Sequence, residues 1–129
     1  MQIYTSYYTN KKIADLNVTP VGISLDVPAN LVFEVPFYIE EIAPSETMIY
    51  YSYQMYRTVY LSKLESVSVD RLKKRFQEVL NFGGGGGPAE GKDLVLLCIE
   101  DLSHMGDWCH RRIFAEWWQK KTGQVVKEL

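Results

Sequence analysis

The run Asp93–Glu100, DLVLLCIE, restricts the fold more than any other segment. Between its charged ends it is unbroken in apolar character. A strand with one wet face alternates polar and apolar residues, and this one does not. It must be covered on both faces, as at the centre of a parallel sheet. Two further strands are expected before it. Ile3–Tyr8 (IYTSYY) is β-branched and aromatic, and Val18–Asp26 (VTPVGISLD) is expected to start after Pro20.

Between strands the period changes. Met48, Tyr51, Met55, Val59 and Tyr60 recur near the helical spacing, predicting a helix over Ser45–Leu64 with Ser45 as cap and Glu46 in the first turn. Leu72, Phe76, Val79 and Leu80 predict a second over Ser68–Phe82. A third is expected after the central strand, with Asp107 as N-cap, Trp108, Cys109 and His110 following, and Gly123 closing it. Its inner face is Ile113, Phe114, Trp117 and Trp118, and Gln124–Leu129 reads as a short edge strand. Pro28, Pro36 and Pro44 make Pro28–Ser45 a long, partly extended loop, a length common in binding loops or lids. Gly83–Gly87 lacks the Lys-Ser/Thr of a phosphate loop and reads as a flexible connector.

Strand, strand, two helices, strand, helix and short strand predict an α/β fold. The expected form is a single three-layer Rossmann-like domain over residues 1–129, with a small, mostly parallel sheet. A chain of 129 residues holds a core without staples. The net charge of −2 gives no field to attract an anionic membrane and disfavours duplex nucleic acid. The basic stretch Arg71–Arg75 fits a solvated helix face. No signal peptide and no membrane-spanning run is apparent. Two cysteines are too few for a disulfide scaffold, so a reducing, cytoplasmic setting is expected.

Ligands of open α/β sheets sit beyond the carboxyl ends of the strands. The topology sends three pieces there: Thr5, Ser6 and Tyr7 from the first strand, Cys98 and Glu100 from the central one, and the start of the last helix at Asp107–Arg111, with Cys109, His110 and Arg111. A helix start favours an anion or a thiolate, and His110 and Arg111 add to that. Each residue also has a plainer role. Cys98 suits a buried small hydrophobe, His110 a brace at the helix junction, and Arg111 a partner for Glu100 or Asp101. A metal held by Cys98, Cys109, His110 and Glu100 is disfavoured, because no CxxC pair exists and adjacent Cys-His side chains on a helix diverge by about 100°. A Cys98–Cys109 disulfide or redox pair requires Cα atoms within about 7 Å.

The residues LVLLCIED…GDWCHRRIFAEWW resemble the Cys-x-Glu…Cys-His-Arg signature of the bacterial and phage family known as domain of unknown function 488. IYTSYYTN, VTPVGISLDVP and EIAPS extend the resemblance over most of the chain. It implies a Rossmann-like domain with Cys98, Glu100, Cys109, His110 and Arg111 as signature positions, and it implies no activity. The segment PANLVFEVPFYIEEIAPS departs from the Trp-Tyr and Gly pattern of the short members.

The leading expectation is a site for a small anionic, nucleotide-like ligand, held without turnover and without a cofactor. Tyr7, Ser6, Cys98, Glu100, Cys109, His110 and Arg111 are the contacts expected. An alternative is a Cys-dependent enzyme on a nucleotide or nucleic-acid-derived substrate, with Cys109 as nucleophile and Glu100 or His110 moving protons. A third is an interaction module using the Tyr-rich stretch Tyr50–Tyr60, with homo-oligomerisation as one form.

Overall fold

A computed structural model describes residues 1–29, 31–84, 93–99 and 109–129. The strands are β1 (Ile3–Tyr7), β2 (Val18–Gly22), β3 (Phe37–Tyr38), β4 (Asp93–Cys98) and β5 (Lys127–Glu128). The helices are α1 (Tyr53–Val67), α2 (Val69–Gly84) and α3 (His110–Thr122). The strands form one sheet in the order β3-β2-β4-β1-β5. Every pairing is parallel, where a mostly parallel sheet was expected. β4 lies in the middle, in register with β1 from Ile3↔Leu94 to Tyr7↔Cys98 and with β2 from Val18↔Asp93 to Gly22↔Leu97. Leu94 to Cys98 are fully buried, as the unbroken apolar run requires.

Alternation along β4 divides the core in two. Leu94 and Leu96 face α1, α2 and α3 and join Tyr60, Leu64, Leu72, Phe76, Phe114 and Trp118 in the larger cluster. Val95 and Leu97 face the other way. They are covered by Tyr8, by Ile13 from the 3-10 turn Lys11–Asp15, and by Leu31, Phe33 and Val35. The third layer of this α/β domain is thus a turn and a stretch of the proline-interrupted loop. Those alternate apolar residues make the loop a cover for the sheet.

Two expected boundaries moved. The predicted helix over Ser45–Leu64 is a 3-10 turn at Glu46–Tyr50 followed by α1. Tyr51 and Ser52 are extended, and the Ser52 hydroxyl accepts the Met55 N–H at 3.3 Å, so a local cap starts a new helix there. Likewise Pro20 lies inside β2 and does not precede it. The Ile23 N–H bonds to β4 and the Gly22 carbonyl to β3, so Pro20, in step with Gly22, turns its missing donor to the β3 side. There β3 joins only from Val21↔Phe37 onward, and no ladder bond is lost.

Gly22 is required by contact. A Cβ there would stand 2.4 Å from the Tyr38 ring and 2.7 Å from the Tyr8 hydroxyl, which is hydrogen-bonded to Ser24 at 2.8 Å. Gly22→Ala is expected to destabilise the domain by about 1–3 kcal/mol through overpacking. Urea unfolding checks this, and a midpoint equal to that of the parent would contradict the close packing.

Candidate functional site

Cys98 ends β4, and alternation from Leu94 and Leu96 turns its side chain to the helical face. α3 begins at His110, two residues later than the expected start, with Cys109 as its N-cap. Cys109 is extended (φ −150°, ψ 155°) and does not lie within the helix. The expected divergence of Cys109 and His110 around a helix therefore does not arise. Cys109 Sγ lies 3.4 Å from His110 Nδ1. Cys98 and Cys109 are joined as a disulfide, with Cα atoms 7.6 Å apart. That span exceeds the limit of about 7 Å expected for such a pair, and the bond is made at the longer distance.

His110 is held from outside its own helix. Its Nε2 donates to the Ile23 carbonyl just past β2, at 2.5 Å. A carbonyl only accepts, so the ring proton sits on Nε2 and Nδ1 keeps a lone pair toward Cys109. The Tyr60 ring packs edge-on at 5.5 Å between centroids, anchored by its hydroxyl on the Ile42 carbonyl at 2.6 Å. Burial lowers the His110 pKa to about 4; the Ile23 carbonyl opposes this, and Arg111 and Lys63 reinforce it. The ring is neutral near pH 7 and carries a lone pair at Nδ1.

Arg111 is fully buried and faces an internal anion. Its Nε donates to Glu128 Oε1 and Oε2 at 3.0 and 3.2 Å, and its Nη2 to Oε2 at 2.8 Å. Nη1 donates to Cys98 Sγ at 2.8 Å. The Thr5 hydroxyl adds a bond to Glu128 at 2.7 Å, and the guanidinium lies 6.0 Å from the Tyr7 ring centre. Among the described residues the carboxylate in the fork is Glu128 of β5; the expected partners Glu100 and Asp101 lie outside the described residues. Nothing in the local pattern marked Glu128. Its role follows from the register Thr5↔Glu128, which sets β5 beside β1.

The structure brings together Cys98, Cys109, His110 and Arg111, with Tyr7 alongside. It separates Ser6, which alternation puts on the opposite face. There the Ser6 hydroxyl donates to the Leu129 carbonyl at 3.2 Å and accepts from Asn10 at 2.9 Å. Glu100, Asp101, Asp107 and Trp108 lie outside the described residues. Tyr60, Ile23 and Glu128 were not singled out in the sequence, because their contributions come through long-range contacts. The Tyr-rich stretch also divides: Tyr56 and Tyr60 are core residues, whereas Tyr50 and Tyr53 are exposed. A cavity of about 350 Å³ opens at the carboxyl end of β2, lined by Gly22, Ser24, Tyr38, Ala43, Ser45 and Lys63 among others. Among the described residues no helix is long and apolar enough to cross a membrane.

Compared with protein-family models, curated proteins and solved structures, the chain finds no match.

Two outcomes follow for the metal-free protein. The folded pKa of His110, about 4, lies below the unfolded value of 6.5. Its contribution is full above pH 6.5 and is lost as pH falls through 4, a loss of about 3 kcal/mol at 1.36 kcal/mol per unit. Urea titrations with chelator present should show that slope in the parent chain and a flatter one in His110→Gln; identical profiles would contradict the buried neutral ring. Second, Glu128→Ala removes the carboxylate that accepts from Nε and Nη2 of the buried Arg111 and is expected to cost about 2–4 kcal/mol, while Glu116→Ala at the exposed Arg57 pair costs under about 1 kcal/mol. Thermal unfolding of both variants checks the contrast.

Proposed function

We propose that this chain is a thiol-redox protein, in which Cys98 and Cys109 interconvert between a disulfide and two thiols. One observation carries the reading: the two joined sulfurs lie between Arg111 on one side and the Nδ1 lone pair of His110 on the other. Each sulfur has its own neighbour, and the two neighbours do different things. Arg111 stabilises negative charge on Cys98 by a charge-assisted hydrogen bond. His110 stays neutral and turns its Nδ1 lone pair toward Cys109.

The co-reactant in this reading is a low-molecular-weight dithiol, because both cysteines are buried. One thiol of the reductant gives its proton to water and its sulfur attacks Cys109 Sγ. The Cys98–Cys109 bond breaks, and its electron pair leaves on Cys98, under Arg111. Exchange is faster when the leaving thiolate is the more stabilised one. The second thiol of the reductant then closes on the first, releasing Cys109, which takes a proton from water. The second thiol's proton goes to Cys98. Two electrons and two protons pass inward, and the dithiol becomes a disulfide.

The resemblance to domain of unknown function 488 belongs to the same proposal, since Cys98, Cys109, His110 and Arg111 are the signature positions that meet. A second reading, the small-anion site, is favoured by the cavity at the end of β2, where Lys63 supplies a cation. Its test is a thermal-shift screen with nucleotides on the parent chain and Lys63→Ala; no stabilisation at millimolar ligand counts against it.

The redox reading is tested by counting thiols, under denaturing conditions, after equilibration in graded dithiothreitol buffers. Two thiols should appear together at a single two-electron midpoint, and Arg111→Met should slow the exchange. The bond closes a loop between positions 11 apart, so reduction should cost about 3 kcal/mol, or roughly 10 °C in Tm. A chain whose thiols stay free under oxidised glutathione would overturn the proposal.

A further inference from the structure

The same two sulfurs, once reduced, stand with a third donor. The ligand atoms of Cys98, Cys109 and His110 all lie within 4.8 Å of one another, and all three residues are buried. We infer that the reduced chain binds one zinc ion through Cys98 Sγ, Cys109 Sγ and His110 Nδ1. This stands whether or not the pair exchanges with external thiols, since it needs only the reduced state.

Geometry supports the donor set. Zinc–sulfur bonds of about 2.3 Å and zinc–nitrogen bonds of about 2.0 Å, arranged tetrahedrally, put neighbouring sulfur and nitrogen atoms about 3.5 Å apart and two sulfurs about 3.8 Å apart. Cys109 Sγ and His110 Nδ1 are 3.4 Å apart, already at that edge length. The Cα atoms of the cysteines, 7.6 Å apart, leave room for their sulfurs to part around an ion.

The surroundings are also those of a ligand shell. A metal-bound histidine usually donates its other ring N–H to a carbonyl or carboxylate, which fixes the tautomer and aims the lone pair. His110 does this with the Ile23 carbonyl. Arg111 Nη1 donates to the sulfur of Cys98, as a second-sphere donor to a thiolate does.

Charge selects the ion. Among the described residues, Arg111 and Glu128 cancel one another. Deprotonating both cysteines leaves two negative charges in a buried site, which burial does not tolerate uncompensated. A divalent cation cancels them, whereas copper(I) leaves one over. Thiolate and imidazole donors disfavour magnesium and calcium, which take oxygen ligands. Binding would release two protons from the thiols. Three protein ligands leave the fourth tetrahedral position to water or a further donor.

The experiment titrates zinc, then cobalt(II) as a spectroscopic substitute, into the full chain kept reduced with a phosphine and freed of metal. One ion per chain is expected, with a Kd below about 1 μM. The cobalt form should show tetrahedral bands with sulfur-to-metal charge transfer. The parent chain oxidised with diamide should bind at least 100-fold more weakly, a comparison that needs no variant. His110→Asn should weaken binding at least tenfold, and circular dichroism shows whether it is folded. Absence of stoichiometric binding by the reduced parent, a cobalt spectrum without sulfur charge transfer, or equal affinity in the oxidised chain overturns the inference. Failure of the redox reading shows instead in the dithiothreitol titration, so the two are distinguishable.

Discussion

A guanidinium with no exposed surface is costly unless every donor direction is answered, and Arg111 is such a group. Among the described residues, the answers come through three other elements. Glu128 reaches it from β5, Thr5 of β1 holds Glu128 in place, Cys98 accepts from the end of β4, and α3 carries the arginine itself. The short edge strand is therefore an electrostatic closure as well as a sheet edge. Its carboxylate, about one-third exposed, is the counter-charge that lets the helix start lie against the sheet.

That closure lies at the start of α3, and the start decides the chemistry. With Cys109 extended as N-cap and His110 as the first helical residue, neighbours in sequence become neighbours in space. His110 is also pinned by Ile23 from β2 and packed by Tyr60 from α1. The cluster thus sits on rigid elements from three parts of the chain, beyond the carboxyl ends of the strands. It is the kind of placement that the parallel sheet predicts for a site.

Much of this architecture was legible before any coordinates. Asp93–Cys98 could only be a doubly covered strand, and the aromatic stripe of the last helix could only be core; both follow from how apolar surface is removed from water. The meeting of Cys98 from β4 with Cys109, His110 and Arg111 at the start of α3 was legible too. Ser6 was grouped with them because it ends a strand, yet strand alternation sends it to the other face. The divergence expected of Cys109 and His110 assumed a helix that had not yet started.

The sequence by itself determined the α/β class, the central strand and the cysteine, histidine and arginine residues that gather at its end. Periodicity and residue chemistry are local, and the chain carries them wherever it goes. Tertiary structure alone decided that Arg111 meets Glu128, that Ile23 fixes the tautomer of His110, and that Cys98 and Cys109 touch. Each of those contacts joins separate elements across the fold. Their reason is the need to satisfy buried charge and hydrogen bonds, which no local pattern expresses.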